Sequence, residues 1–162
     1  MARKWHIWIP VRPKAVQSVR GGSRGFYADP RVTAWKKQII PYIQKCCDGP
    51  PSSMLMRITL MRFLFQYPKS MPERIKQYIR DGGIVPYVGC ADLADNLAKG
   101  LIDCCAGIVF ENDRQIWQQT GTREKVYGEH DGIVLDFEET PGVVTADGSL
   151  ASGFVPGRSG LL

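Results

Sequence analysis

A chain of 162 residues, 44% hydrophobic and 23% charged, has the length of one domain with a short extension and enough apolar material for a core. That excludes a wholly disordered chain, and five cysteines are too few for a disulfide-built miniprotein. The net charge of +5 hides an asymmetry: residues 1–90 hold 16 Lys and Arg against four Asp and Glu, and residues 91–162 hold five against 12. A basic half followed by an acidic half fits a DNA-binding surface beside an acidic metal site, or two halves that attract each other.

Residues 4–11 alternate and are rich in β-formers, which predicts a strand. Residues 12–28 carry Arg12, Lys14, Arg20 and Arg24 among glycines, with little apolar periodicity, and predict an exposed loop. Asp29-Pro30 has the form of an N-cap followed by proline in the first turn. Val32, Trp35, Ile39, Ile43 and Cys46 then repeat at helical spacing, so a helix is expected to Cys47. Residues 53–67 predict a long strand, 72–81 a short amphipathic helix and 84–88 a short strand. A second helix is expected over 92–106, closed by Gly107. Residues 115–127 and 133–138 read as two more strands. After Pro141 the chain becomes rich in Gly and Ser, which divides it into a domain over 1–139 and a mobile tail over 140–162. The architecture expected is α+β, a small mixed sheet packed with two or three helices.

The N-terminus has no secretory pattern, and the most apolar window, 54–65, is interrupted by Arg57 and Arg62, so a cytoplasmic protein with no membrane span is expected. Its cysteines should then be reduced. None forms Cys-x-x-Cys, which argues against zinc; they read as small buried residues. His6 and His130 lie near no recognisable nucleophile motif. Trp5, Trp8 and Trp35 read as core residues, and Trp117 as either core or a base-stacking platform.

On a regular helix Asp92, Asp95, Asn96, Lys99 and Asp103 fall within an arc of roughly 100°, opposite Leu93, Leu97, Leu101 and Cys104. Such a face can be merely solvated, with intrahelical ion pairs of about 0.3–0.5 kcal/mol each. The acidic turn Glu111-Asn112-Asp113, taken alone, also suits an ordinary turn. Together, a helix start and an acidic turn can converge carboxylates on a hard cation, with a lysine placed for charge developing on a phosphate.

Asp92-Leu93-Ala94-Asp95-Asn96-Leu97-Ala98-Lys99, followed by Asp103, Gly107, Glu111-Asn112-Asp113 and Gln115-Ile116, resembles the signature of the RusA family of Holliday junction resolvases. The likeness extends more loosely over residues 5–138. It implies a Mg²⁺-dependent homodimeric endonuclease that nicks four-way DNA junctions in pairs. By motif, Asp95 matches the second of two helix-start aspartates, Lys99 the required lysine and Asp113 the aspartate of the acidic turn. The resemblance therefore assigns Asp95 and Asp113 to the metal and, with Lys99, to catalysis; Leu93 aligns with the first aspartate, and Asp92, at the helix N-cap, is the expected substitute for it as a metal and catalytic residue. The sequence departs from the signature in two places. Two residues rather than one separate Asp92 from Asp95, and Asn112 stands where the acidic pair begins. With this reading the basic residues Arg12, Lys14, Arg20, Arg24 and Lys125 become candidate phosphate contacts. The alternative reading is a non-catalytic junction-binding protein with a degenerate metal site; a scaffold whose acidic face only pairs with its basic half is a third.

Overall fold

The computed structural model describes residues 1–16, 20–22, 25–27, 29–89, 92–143 and 146, with the backbone alone at 20–22, 25–27, 94 and 95. The order of elements is β1 (Lys4–Ile9), β2 (Arg20–Gly22), β3 (Gly25–Tyr27), α1 (Pro30–Lys45), β4 (Met56–Gln66), α2 (Glu73–Arg80), a π-helical turn (Leu93–Leu97), α3 (Ala98–Cys105), a 3₁₀ turn (Asp113–Gln115), β5 (Ile116–Gly128) and β6 (Gly132–Glu139). Four strands form one sheet in the order β1-β6-β4-β5, and β2 pairs with β3 in a separate two-stranded sheet. Among the described residues, the β4–β5 pairing is the parallel one in the main sheet, and the other two are antiparallel. The result is an α+β fold with a mixed sheet and three α-helices, as the pattern implied.

Binary patterning determines which sheet face is covered. In β1 the buried Trp5, Ile7 and Ile9 lie opposite the buried Phe137, Leu135 and Ile133 of β6. Met56, Ile58, Met61, Phe63 and Phe65 of β4 join the same core. Against it lie Trp35, Ile39 and Ile43 of α1, spaced at four residues, and Leu101, Cys104 and Cys105 of α3. The α1 start is capped as expected: the Asp29 carboxylate accepts from the Arg31 N–H at 2.8 Å, with Pro30 next.

Trp8 corrects the core reading. It is 41% exposed because it shares the outer strand face with Lys4 and His6, as period-two alternation dictates. Trp5 and Trp35 are buried as expected, and Trp117 is exposed. The expected strand over 84–88 contributes only a bridge from Pro86 to Val126, flanked by Tyr87 N–H to Lys125 O and Tyr127 N–H to Val85 O bonds.

Nor is the 12–28 segment simply an exposed loop. Pro13 and Val16 are buried, and the segment goes on to β2 and β3. The Trp35 indole donates to the Arg12 carbonyl at 3.0 Å, and the Val16 N–H donates to the Asn96 carbonyl at 2.9 Å. Val16 sits so close over α3 that a Cβ at Gly100 would lie 2.4 Å from its side chain. Val16 therefore fastens the loop start to the helix that carries Lys99.

Adjacent strands explain much of the charge asymmetry. Arg3 and Lys4, at the start of β1, pair with Glu139 and Glu138 of β6; Arg57 and Arg62 of β4 pair with Glu138 and Glu124. Arg12 pairs with Asp131, and Lys36 of α1 with Asp103 of α3. Basic and acidic halves interleave in the sheet, so part of the imbalance is structural. Among the described residues no helix is long and apolar enough to cross a membrane. The expected tail lies outside the described residues from 147 onward. Thr140 is buried, its hydroxyl donating to the Leu55 carbonyl and accepting from the Trp117 indole.

Candidate active site

The helix expected over 92–106 is two structures in succession. Residues Leu93–Leu97 form a π-helical turn, closed by Leu97 N–H donating to the Asp92 carbonyl five residues back at 3.0 Å. Regular α3 begins only at Ala98. A π-turn accommodates an extra residue relative to an α-turn and recurs at functional sites. Here it coincides with the extra residue between Asp92 and Asp95. Lys99 lies in the first turn of α3, between the buried Ala98 and Gly100, and is itself exposed.

The acidic turn is anchored from below. Phe110 is fully buried and meets Phe137 edge-on, with ring centroids 5.5 Å apart. Asn112 caps the 3₁₀ turn: its side-chain oxygen accepts from the Arg114 N–H at 3.0 Å, and its own N–H donates to the Gln115 side-chain oxygen at 2.7 Å. Gln115 is fully buried, and its amide nitrogen donates to the Ser52 and Met54 carbonyls, both at 2.7 Å. Ser52 in turn donates to Glu139 at 2.7 Å. Burial pushes the Glu139 carboxyl upward, but bonds from the Arg3 N–H, the Ser52 hydroxyl and the Arg3 guanidinium outweigh it and hold the group below its ordinary range. This buried framework leaves Asp113 exposed at the outer corner of the turn.

Lys99 and Asp113 meet in one cleft of about 300 Å³, together with Asp103 and Arg123, over a floor of Ala98, Ile102 and Ile116. Asp103 accepts from the Lys36 ammonium of α1 at 3.3 Å. The cleft therefore offers carboxylate oxygens and two cationic side chains, and among the described residues its lining holds no cysteine or histidine. Oxygen donors suit a hard cation, and Mg²⁺ needs only one or two carboxylates. Among the described residues no three His, Cys, Asp or Glu gather closely enough to hold a metal.

The remaining expected residues are placed as follows. Asp92 is exposed at the entry to the π-turn. The Asp95 side chain lies outside the described residues, although its backbone belongs to that turn. Arg12 is exposed, bonds to Asp131 at 3.1 Å and lies over the Phe65 ring. Lys14 is half-buried; the Arg20 side chain and the whole of Arg24 lie outside the described residues. Lys125 donates to the Gly89 carbonyl at 3.0 Å and lies over the Tyr87 ring, so it serves the 87–89 segment. Arg123 and Asp103 line the cleft and lie outside the expected site residues. Asp103 is readable from both the polar helix face and the family signature, whereas Arg123 carries no motif signal.

A search of curated proteins finds no match to the chain. The family model described as endodeoxyribonuclease RusA matches residues 9–137, which takes in every element from the end of β1 into β6 and the whole cleft. With that span covered, the chain belongs to the RusA family, a family of Holliday junction-resolving endonucleases.

Proposed function

We propose that this chain is a Mg²⁺-dependent endodeoxyribonuclease that resolves four-way DNA junctions by paired nicks, working as a homodimer in the cytoplasm. The observation that carries the proposal is the convergence of Lys99 and Asp113, from separate segments, in one cleft. The family membership supports the nuclease class and the branched DNA substrate.

In this reading Asp113, with Asp92 and Asp95, would hold the cation. When bound, Mg²⁺ would supply Lewis-acid polarisation of a phosphodiester oxygen. Lys99 brings a cationic side chain to the same cleft, where it stabilises negative charge developing on the phosphate. Asp103 is balanced by Lys36, which limits the negative field that the DNA backbone meets there. Arg12, Lys14, Arg20, Arg24 and Lys125 would contribute phosphate contacts, giving affinity and salt dependence rather than sequence reading. Two-fold symmetry is the reason for a dimer: a four-way junction needs two equivalent nicks, and a C₂ pair presents two equivalent clefts.

The test is a synthetic four-way junction incubated with the purified chain, with Mg²⁺ and with a chelator, beside a linear duplex of the same sequence. Paired nicks in the junction that require Mg²⁺ and spare the duplex are expected. Junction binding with no cutting under any divalent cation would refute the enzyme and leave a non-catalytic binder.

A further inference from the structure

Arg123 is the cationic residue of the cleft to which the signature gives no role. It stands on β5, the strand that leaves the 3₁₀ turn bearing Asp113. Ile116 and Arg123 are an odd number of positions apart, so unbroken alternation would put them on opposite sheet faces. The register of β5 against β4 shifts between Met56 and Arg57 and again between Ile58 and Leu60. Each shift adds one residue to β5, so the two together keep it in phase with β4. Strand β4 is itself irregular at Thr59 against both neighbours, so Met56 and Met61, five apart, are both fully buried, and their partners Ile116 and Arg123 follow them to the helix-covered side. Both Ile116 and Arg123 therefore line the same cleft. At the second shift Gly121 lies against Thr59 so tightly that a Cβ would fall 1.5 Å from the Thr59 carbonyl oxygen. Bulges that re-aim a side chain are a recurrent device beside active sites.

The guanidinium also reaches past the cleft lining, where an Arg123 NH₂ group donates to the Leu93 carbonyl at 3.2 Å. Leu93 opens the π-turn that separates Asp92 from α3. A guanidinium has five donors in a fixed planar fork, so it can hold this carbonyl and engage other groups at the same time. One side chain thus ties the strand following Asp113 to the wide turn preceding Lys99.

We propose that Arg123 is a positioning residue for the junction-cutting reaction: it clamps the Leu93 carbonyl so that the π-turn preceding Lys99 keeps a fixed position relative to the strand that follows Asp113. The proposal rests on the cleft being the catalytic site. It makes the irregularity of β4 and β5 around Thr59 and Gly121 part of the site's construction, since Arg123 follows Met61 to the helix side. Small displacements of reacting groups are costly, so loosening the clamp slows cutting far more than it weakens DNA binding.

The experiment compares the full chain with Arg123→Gln, Arg123→Lys and Asp113→Asn. It measures single-turnover cutting of a four-way junction, junction Kd in the absence of Mg²⁺, the salt slope of that Kd and the melting temperature. Arg123→Gln is expected to cut about tenfold to a hundredfold more slowly, with a raised Mg²⁺ requirement and an unchanged Kd and salt slope. Arg123→Lys should recover part of the rate, and it carries the test if Arg123→Gln does not fold. Two results would overturn the role. One is normal cutting by both Arg123 variants while Asp113→Asn is inactive, which leaves the cleft reading standing. The other is loss of cutting only in step with weaker binding and a salt slope smaller by about 0.9, the mark of one lost phosphate contact. Normal cutting by Asp113→Asn would remove the cleft reading itself, and this role with it.

Discussion

Gln115 and Ser52 hold the acidic turn to the body of the protein, the buried Gln115 amide donating to the Ser52 carbonyl at 2.7 Å. The same amide reaches the Met54 carbonyl, and its oxygen accepts from the Asn112 N–H. Gln115→Leu keeps the volume roughly but strands these buried groups. A loss of about 3 kcal/mol or more in stability is expected by urea denaturation. A loss under about 0.5 kcal/mol would mean that the turn does not depend on this anchor.

Gly121 occupies its place because no other residue fits. A Cβ there would meet the Thr59 carbonyl oxygen at 1.5 Å, and backbone cannot yield as a flexible side chain does. Gly121→Ala should cost about 1–3 kcal/mol and slow junction cutting, since the second register shift of β5 lies at this contact. Wild-type stability and rate in the variant would contradict this view of the β4–β5 pairing.

Glu139 predicts a pH signature. Its folded carboxyl titrates below the ordinary value of 4.5, so the unfolded chain binds the proton first as pH falls. The stabilisation is therefore complete above the unfolded value and is lost as pH drops through the folded one. The stability gap between wild type and Glu139→Gln should be widest near neutral pH and close progressively below about pH 4.5. A gap independent of pH would show that the network with Arg3 and Ser52 does not favour the carboxylate.

Burial pushes the thiols of Cys47 and Cys104 up to about 11, and that of Cys105 well above its ordinary value. The thiolate is the nucleophile, so iodoacetamide at pH 8 should label these positions far more slowly in the folded chain than in urea. Peptide-level mass spectrometry measures this directly. Equal labelling rates in both states would contradict their burial.

Much of the fold is legible because local signals and tertiary demands agree. Asp29-Pro30 caps α1 in the way that these residue types cap helices, and Trp35, Ile39 and Ile43 bury the face that their spacing defines. Alternation in β1 identifies its buried residues and also exposes Trp8, whose aromatic character argued misleadingly for the core. The π-turn is less legible: Asp92 to Leu97 offers the same residues to an i→i+4 or an i→i+5 pattern, and only the added residue relative to the family signature hints at the wider turn. Burial of Pro13 and Val16 depends on the Val16–Asn96 bond and the Gly100 contact, which join segments far apart in sequence. Of the site, Lys99 and Asp113 are readable from the signature. Arg123 is not, because its facing depends on an irregularity in its partner strand some sixty residues away.

If Asp113 and Lys99 act in one catalytic cleft, neither can be replaced without loss of cutting. The direct measurement is single-turnover cutting of a four-way junction with Mg²⁺ by Asp113→Asn and Lys99→Ala, with junction binding followed in parallel. Each variant is expected to lose about a hundredfold or more in cutting rate while binding the junction as wild type does. Cutting at the wild-type rate by either variant, with folding verified, would contradict a shared catalytic cleft.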